Sequence, residues 1–457
     1  MTIFSQYRAM NRFGLGAGPL DLNAATADPK GWLLQQLEIQ QDPGPQVPDA
    51  ATSLSAFYEW RNERKRLMSS EESERRAQEL TSLQRGLAAQ EQSNFFKRFE
   101  YAAHTRTPFR ERLVQFYSNH FSVSRKGKRM ISLVCVAYEN EAIRAHLDSS
   151  FADMLLAVVS HPVMLFYLDN NNSVGPGSPA GKRSKRGLNE NLAREIMELH
   201  TLSVNGGYTQ QDVQALAKMI TGWGFGGYNN RNPAVKQGEF FFYKQNHEPG
   251  PQVLLGRQYD FQGLEQGRAA LIDLALDPST ARFLATKLAS HFIADTPPPE
   301  AISILERSFL DSRGHLPTLH RTLVNLEAAW DPAHKKFKTP NEYLLSAVRV
   351  FDLPFNGRIR KLIRSGLVNL NQRPFFAGSP AGWPDDTRYW SSSSALKKRI
   401  EWGLATGASA NTGLHKIEQA VAMLPTDAGD LQLAMKRAES PAQAAGLMLA
   451  SPEFQWR

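Results

Sequence analysis

The densest group of side chains capable of chemistry lies in one stretch, Asn189-Glu-Asn-Leu-Ala-Arg-Glu-Ile-Met-Glu-Leu-His200. On a helical wheel at about 100° per residue, its apolar stripe runs through Leu192, Ile196, Leu199 and Ser203. Glu195 falls about 60° from the centre of that stripe, and Glu198 shares its flank one turn further on. His200 falls about 80° away on the other side. We therefore predict that all three border the core, where a carboxylate must be paired, protonated or bound to metal.

Two interpretations of this helix remain open. Glu195 and Glu198, at i and i+3, can present two carboxylates to one divalent ion or work as an acid–base pair. Alternatively, the acids pair with arginines and cap neighbouring helices without doing chemistry, which the pattern alone favours. Glu190 and Arg194 project outward and are predicted to form an i, i+4 ion pair.

Three further histidines lie on predicted apolar surfaces. His120, which follows Asn119, shares a helix face with Phe116; His291 shares one with Leu288 and has Lys287 at i−4; His161 interrupts a buried stretch. A lone histidine on such a face is usually a satisfied core residue. Three of them beside a Glu-Glu-His helix favour a convergent polar centre, with His120 as its proton shuttle or metal ligand.

A second chemical feature is the irregular stretch Arg373-Pro-Phe-Phe-Ala-Gly-Ser-Pro-Ala-Gly-Trp-Pro-Asp-Asp-Thr-Arg-Tyr-Trp390. If Trp383, Tyr389 and Trp390 are exposed beside Asp385 and Asp386, they suit stacking on sugar rings with hydrogen bonding to hydroxyl groups. The alternative is a lid whose aromatic side chains plug the core, and for any single aromatic residue this alternative is favoured.

Several standard chemistries have no support. The sequence contains no His-Glu-x-x-His zinc pattern, Gly-x-Ser-x-Gly elbow, phosphate-binding glycine loop or dinucleotide fingerprint. Cys135 is the only cysteine, which excludes an intrachain disulfide and cysteine-rich zinc sites. A net charge of +8 and a pI near 9.4 favour anionic partners. The basic clusters lack the interleaved aromatics of a nucleic-acid groove, so nucleic acid is not favoured.

The organisation is that of a mainly α protein, which we interpret as one large helical module over residues 1–457. Helix-forming patterns and caps recur along the chain, including capping boxes at Thr209–Asp212 and Thr339–Glu342. Residues 71–103 are predicted to form an exposed helical arm. Residues 173–187 are predicted to form a flexible loop. Between 222 and 259 the pattern changes to that of a small β-hairpin inserted among helices.

The N-terminal residues lack the apolar core of a secretory signal, and no apolar run reaches the ~20 residues of a membrane span. As written, the sequence predicts a cytoplasmic protein without a transmembrane segment.

A set of motifs in order along the chain resembles the bacterial domain-of-unknown-function family 1800 (DUF1800). The motifs are Asn11-Arg-Phe-Gly14, Asn119-His-Phe121, His161-Pro162, Tyr167-Leu-Asp-Asn170, Asn189–His200, Gly206-Gly-Tyr-Thr209, Thr221-Gly-Trp223, Lys287–Phe292, Pro297-Pro-Pro299, Ser379-Pro-Ala-Gly-Trp-Pro384 and Ser451-Pro-Glu-Phe454. They cover nearly the entire chain. The resemblance implies one large helical module and no established reaction. It also implies a sulfatase-like partner protein, because members of the family are often found beside one. Many members look exported, whereas this sequence shows no signal peptide.

The leading functional hypothesis is an enzyme, hydrolytic or group-transferring, that acts on a carbohydrate or a similar anionic or polyhydroxylated polymer. The candidate catalytic residues are Glu195, Glu198, His120 and His200; a divalent metal, if present, would use Glu195, Glu198 and His120. The candidate substrate-binding residues are Asn119, Asn191, Arg194, Trp383, Tyr389 and Trp390. The alternative is a helical scaffold or maturation partner of a second protein. An open pocket around the acids would favour the enzyme, and buried Arg–Glu pairs would favour the scaffold.

Overall fold

A computed structural model describes residues 3–19, 21–39, 42–69, 73–183, 187–227, 235–409, 413–424 and 428–457. The first half of the chain contains α1 (Ile3–Arg8), α2 (Leu22–Ala27), α3 (Pro29–Gln36), α4 (Ala50–Met68), α5 (Ser73–His104), α6 (Pro108–His120), α7 (Arg129–Tyr138), α8 (Phe151–Ser160), α9 (Pro162–Tyr167), α10 (Asn191–Glu195) and α11 (Gln210–Met219).

The second half contains α12 (Leu264–Ala275), α13 (Pro278–Phe292), α14 (Pro299–Asp311), α15 (Leu316–Asn325), α16 (Pro340–Val350), α17 (Gly357–Asn369), α18 (Thr387–Trp390), α19 (Ser393–Ser409), α20 (Leu414–Ala422), α21 (Gly429–Lys436), α22 (Pro441–Ala450) and α23 (Pro452–Gln455). Short 3₁₀ turns occur at Arg144–His146, Asn170–Asn172, Lys244–Asn246 and Glu327–Ala329. In the described part of the chain, no helix has both the length and the apolar character needed to cross a bilayer.

The predicted β insertion is confirmed, although it consists of two small sheets. Strand β1 (Trp223–Phe225) pairs antiparallel with β2 (Phe240–Phe242), and β3 (Gln252–Leu254) pairs antiparallel with β4 (Arg257–Tyr259). The second pair is closed by Leu255 and Gly256, both at positive φ, which is the backbone required by a tight two-residue hairpin. The protein is therefore mainly α with a small β element, as its sequence predicts.

Local sequence signals explain where many helices begin. Both predicted capping boxes form: the Thr209 and Thr339 side chains accept from the backbone N–H groups of Asp212 and Glu342, and each acid side chain accepts from the threonine N–H in return. Proline stands at the first position of α6, α13 and α16, where its missing N–H has no helical partner to lose. These three helices carry most of the candidate site described below.

Among the described residues, π turns follow α1 (Ala9–Phe13), α7 (Glu139–Ile143) and α10 (Ile196–His200). The first two contact α6. The first carries Phe13, whose ring packs against Phe109 of α6 and Phe292 of α13. These aromatic contacts join the N-terminal segment to α6 and α13, and they belong to one hydrophobic cluster that extends from Ala9 to Phe454.

The predicted arm is exposed over only half its length, and the described part of the predicted loop is hydrogen-bonded to the segment after β2. α5 is mostly exposed in its first half, but Asn94, Phe96, Phe99 and Ala102 in its second half are buried. Within the predicted loop 173–187, residues 184–186 lie outside the described residues. The described part is attached to the segment after β2, because Gly175 N donates to Asn246 O and Gly177 N donates to a Glu248 carboxylate oxygen.

Candidate active site

A half-buried lysine, Lys287, and a buried histidine, His120, meet where α6 ends against α13. The Lys287 amine lies 3.0 Å from His120 Nδ1. The other ring nitrogen, His120 Nε2, lies 3.0 Å from the backbone carbonyl of His200. A carbonyl only accepts, so Nε2 carries the hydrogen of the neutral ring and Nδ1 is left as the acceptor for Lys287. The two contacts hold the imidazole in one orientation and one tautomer.

The helix that carries Glu195 supplies the anchor for His120. After Glu195 it continues as the π turn Ile196–His200, and Thr201 leaves the helical conformation. The last carbonyls of a helix have no partner within it. The His200 carbonyl is therefore free to accept from His120.

Burial changes the protonation of both members of the pair. Burial lowers the pKa of Lys287 to about 8, although the nearby charge of Asp385 opposes the shift. Burial and then the Lys287 charge lower the pKa of His120 well below its usual range. At neutral pH the imidazole is consequently neutral, while the lysine is close to its titration point and can both release and accept a proton.

A second histidine stands one helical turn from Lys287. His291 Nδ1 lies 2.9 Å from Asp385 Oδ2, while Nε2 lies 4.0 Å from Glu342 Oε1 without forming a hydrogen bond in the described part of the chain. Burial lowers the pKa of His291 despite the opposing effect of Asp385. Burial alone would raise the pKa of Asp385, but His291, Lys336 and Arg457 outweigh it and the net pKa is lowered. Asp385 is thus a charged carboxylate facing neutral His291.

Glu342 is the second charged carboxylate of the site. Arg112 and Arg457 both form ion pairs with it, and all three side chains are almost fully buried. Burial would raise the pKa of Glu342, but Arg457, Arg112 and His291 hold it far below its usual range. The capping box at Thr339 also directs Oε2 toward the start of α16. Glu342 therefore organises the surrounding cations and stays ionised.

The irregular segment after α17 closes the site. Asn119 holds it through both ends of its amide: Nδ2 donates to Trp383 O at 2.9 Å and Oδ1 accepts from Trp383 N at 2.7 Å. Gly382, at φ +80°, makes this approach possible, because a Cβ there would lie 2.5 Å from Asn119 O. Asn119 is thus engaged with the backbone and positions Trp383 beside His120.

These groups line one cavity of about 340 Å³ between α6, α13, α16 and residues 372–385. Its volume lies in the range of small-ligand sites. Lys287, His120, His291, Asp385 and Glu342 all contribute to its wall, together with polar groups such as Gln115 and Asn341. Exposed Ala381 and Pro384 belong to the same wall. The arrangement combines a lysine that titrates near neutrality with fixed charges around a ligand-sized space.

The structure places Glu195, the last residue of α10, and Glu198, in the π turn that follows it, away from this cavity at partly exposed positions. Burial and then the charge of Glu198 raise the pKa of Glu195. Arg194 forms the predicted pair with Glu190 at 3.2 Å, and it also lies 3.6 Å from Glu198. Asn191 is exposed at the start of the same helix. The acids and His120 therefore do not line one common site.

His200 is fully buried, and neither ring nitrogen has a hydrogen-bond partner among the described atoms. Its ring packs 5.2 Å from Phe121 and 6.3 Å from His120, measured between centroids. His200 contributes its backbone carbonyl to the site, and its side chain belongs to the core.

The aromatic residues of the irregular segment differ from one another. Tyr389 is 49% exposed, but Trp390 is only 3% exposed and donates from Nε1 to Pro384 O. The Trp390 ring packs against Trp383 and Tyr389, which is the buried arrangement that the sequence favours for any single aromatic residue of this segment. Trp383 is partly buried and lines the cavity. It is the one predicted stacking residue that faces the site.

The predicted metal ligands do not gather around one point. Among the residues that the structure describes, no group of three or more His, Cys, Asp or Glu side chains is arranged to hold a metal ion. His120 uses one nitrogen for the His200 carbonyl and the other for Lys287. Glu195 lies at the end of α10 and Glu198 in the π turn that follows, and neither lines the cavity. The three predicted ligands do not fit a shared divalent ion in this arrangement.

Sequence reasoning did not select Lys287 and Glu342 as site residues, and it considered Asp385 only as a partner for sugar hydroxyl groups. The i, i+4 spacing of Lys287 and His291 was a usable signal, because it places both on one face of α13. The capping box at Thr339 predicted that Glu342 lies at the start of α16. A capping box does not indicate that buried arginines will pair with the acid. The contact between Asp385 and His291 joins residues far apart in the chain, and no local pattern indicates it.

The fold and cavity define a mainly helical protein with a lysine–histidine pair in the wall of a polar pocket. The chain belongs to the family described as protein of unknown function DUF1800, whose model matches residues 8–456. The match includes every element of the cavity as well as α10. No match to the chain was found among curated proteins or solved structures.

Proposed function

We propose that the protein is an enzyme that hydrolyses, or transfers a group from, a polyhydroxylated substrate by acid–base catalysis at the Lys287–His120 cavity. One observation carries the proposal: the amine of Lys287, with a pKa near 8, lies 3.0 Å from a neutral histidine in the wall of a ligand-sized cavity. Strongly perturbed titratable groups in clefts are concentrated at catalytic sites.

The proposed chemistry uses Lys287 twice. In hydrolysis, the oxygen of a water molecule bonds to the reacting carbon as the old carbon–oxygen bond breaks, and a proton of that water passes to the neutral amine. The resulting ammonium gives a proton to the departing oxygen, which becomes a hydroxyl group. The lysine therefore ends in its starting state, and the hydrogen bond to His120 Nδ1 keeps the amine aimed at one place.

The proposal changes the roles expected from sequence. His120 stays in the site as the partner of the proton-transferring group, in line with its predicted shuttle role. The acids nearest the reaction are Asp385 and Glu342, because Glu195 and Glu198 do not line the cavity. Trp383 supplies the aromatic surface against which a sugar ring would pack.

The test is a comparison of three proteins on a panel of neutral and acidic polysaccharides, with release of new chain ends as the readout. The wild type should release fragments at a rate that rises with pH through a midpoint near 8. Lys287→Met should lose about 10²–10⁴-fold in rate, the usual contribution of a general acid or base. Lys126→Met, an exposed control, should match the wild type. Equal activity of Lys287→Met and wild type would end the proposal.

A protein-binding role has its own supporting observation. On α19, Leu396, Ile400 and Leu404 follow one another at i, i+4 and i+8, and they are 37%, 44% and 48% exposed. An exposed apolar stripe favours the alternative of a scaffold or maturation partner, for which the family resemblance implies a sulfatase-like protein. Co-expression with that neighbour should then give a stable complex that Ile400→Asp disrupts and Lys287→Met leaves intact. In the fragment-release assay, loss of activity in Lys287→Met with activity retained in Ile400→Asp would instead support the enzyme.

A further inference from the structure

A basic groove runs between α5 and α17 on the side of the cavity formed by residues 372–375. It comprises two adjoining hollows of about 730 and 350 Å³, which share Gln92, Arg364 and Val368 in their walls. Arg125 and Arg373 line the smaller hollow. We call the two hollows together the arginine groove.

Three arginines of this groove lack a counter-ion. Arg125, Arg364 and Arg373 form no ion pair with any described residue, and Arg364 and Arg373 are exposed. They are close enough to affect one another: burial first, then the charges of Arg125 and Arg364, lower the pKa of Arg373. Like charges held together in this way favour a bound anion, because an anion removes their mutual repulsion.

The neighbouring charged groups do not neutralise the three arginines. Arg360 lies 3.6 Å from Glu100 and above the Phe355 ring, so its charge is already matched. Glu91 lies in the wall of the smaller hollow, where burial raises its pKa although Arg125 and Arg129 oppose the shift. A single carboxylate whose ionisation is disfavoured leaves the groove strongly positive.

The groove meets the catalytic cavity at one short segment. Pro374 lines both the smaller hollow and the cavity, and the next residue, Phe375, lines the cavity. The backbone N–H of Arg125 donates to Phe375 O at 2.8 Å. A chain lying along the arginines would therefore reach the cavity wall within a residue or two of Arg373.

The aromatic side chains of the groove have little free surface. Phe96 is buried, Phe95 packs against Phe96 and Phe99, and the ring of Phe376 is covered by the Arg373 guanidinium at 3.9 Å. Single-stranded nucleic acid is held by bases stacked on accessible aromatic faces. Guanidinium groups instead match carboxylate and sulfate groups through paired hydrogen bonds.

We propose that the arginine groove binds an acidic polysaccharide, a sugar chain bearing carboxylate or sulfate groups, and directs it toward the Lys287 cavity. The claim that the polysaccharide is directed toward the cavity rests on the proposed function, whereas the claim that it binds the arginine groove does not. The anionic groups contact Arg125, Arg364 and Arg373, and the sugar chain passes Pro374. This names the substrate class of the enzyme as an acidic polymer.

The test is fluorescence anisotropy with three labelled probes of matched charge: an oligogalacturonate, a heparin-derived oligosaccharide and a single-stranded DNA. The wild type should bind at least one sugar probe more tightly than DNA, and the affinity should fall as salt is raised. The stronger of the two sugar probes identifies the carboxylate or sulfate form. Arg364→Gln/Arg373→Gln should weaken sugar binding at least tenfold.

A control variant with the same change of net charge distinguishes binding at the arginine groove from general electrostatic attraction to the protein. Arg307 and Arg437 are exposed, line neither hollow and form no ion pair with a described residue. Arg307→Gln/Arg437→Gln, which also removes two positive charges, should bind like the wild type, and melting curves should show that both double variants are folded. Lys287→Met should retain sugar binding while losing turnover, so the failure of catalysis and the failure of the groove are distinguishable. Three outcomes would each overturn the proposal: the wild type binds no sugar probe, the groove variant binds sugar as tightly as the wild type, or the wild type prefers DNA.

Discussion

Lys287 and His291 lie one turn apart on the same face of α13, and each makes its polar contact with a different part of the chain. Lys287 contacts His120 at the end of α6, and His291 contacts Asp385 in the segment that covers the cavity. One helix thus connects the wall of the cavity to its cover. Because Asp385 also acts on the charge of Lys287, displacement of the cover would change the protonation of the lysine.

The titration of Lys287 is the first prediction. Competitive labelling of amines with a small reagent, followed across pH by mass spectrometry, should give a midpoint near pH 8 for Lys287. An unperturbed lysine titrates at about 10.4. Asp385→Asn should lower the midpoint further, because the carboxylate favours the charged amine. A Lys287 midpoint near that of an unperturbed lysine would contradict the buried environment of the amine.

Glu342→Gln tests the buried charge cluster. The substitution keeps the size of the side chain but leaves Arg112 and Arg457 without their shared counter-ion. We expect a loss of about 3–5 kcal/mol in the free energy of unfolding, measured in denaturant. Glu401→Gln, which affects an exposed pair with Lys397, should cost about 1 kcal/mol or less. Similar losses in the two variants would show that Glu342 is not the centre of the cluster.

Glu195→Gln should have the opposite result. Glu195 lies beside Glu198, and its raised pKa means that the folded protein disfavours its charge. A raised pKa costs stability above the unfolded value of about 4.3, so the neutral variant should be as stable as the wild type, or more so, at pH 7. The two proteins should converge in more acidic solution. A loss of several kcal/mol at pH 7 would require a cationic partner for Glu195.

Much of the fold was predictable because its signals are local. The threonine and the acid of the box at Thr339–Glu342 are three residues apart, and the change of pattern between 222 and 259 predicted the β insertion. The contact partners of Lys287 were not predictable, because they come from α6 and from the segment after α17. Contacts at such separation depend on how whole helices pack, which spacing along the chain does not encode.

The helical wheel and the structure diverge at one place. On the assumption of 3.6 residues per turn, the wheel put Glu195, Glu198 and His200 at the border of the core. The helix becomes a π turn at Ile196, and a π turn contains more residues per turn. The change of angle accompanies the full burial of His200, whereas Glu198 stays partly exposed near Arg194. An interruption of this kind has no simple sequence signal.

His200→Leu provides the last prediction, a change in the pH dependence of stability. Burial first, and then the Lys287 charge, lower the pKa of His200 to about 3. An unfolded histidine titrates at about 6.5, so between these values the unfolded chain binds a proton that the folded protein does not. Wild-type stability therefore falls as the pH is lowered through this window, by about 2 kcal/mol at pH 5 from this residue alone.

Leucine has no proton to bind, so the His200→Leu variant should lack that part of the loss. At pH 7 it should be close to the wild type, because the ring nitrogens make no hydrogen bond among the described atoms that leucine would remove. At pH 5 the variant should be the more stable protein by about 2 kcal/mol, measured by denaturant unfolding at each pH. His415→Leu, at an exposed position of α20, should differ from the wild type by a constant amount. Parallel pH profiles for His200→Leu and wild type would mean that His200 is protonated as readily in the folded protein as in the unfolded chain.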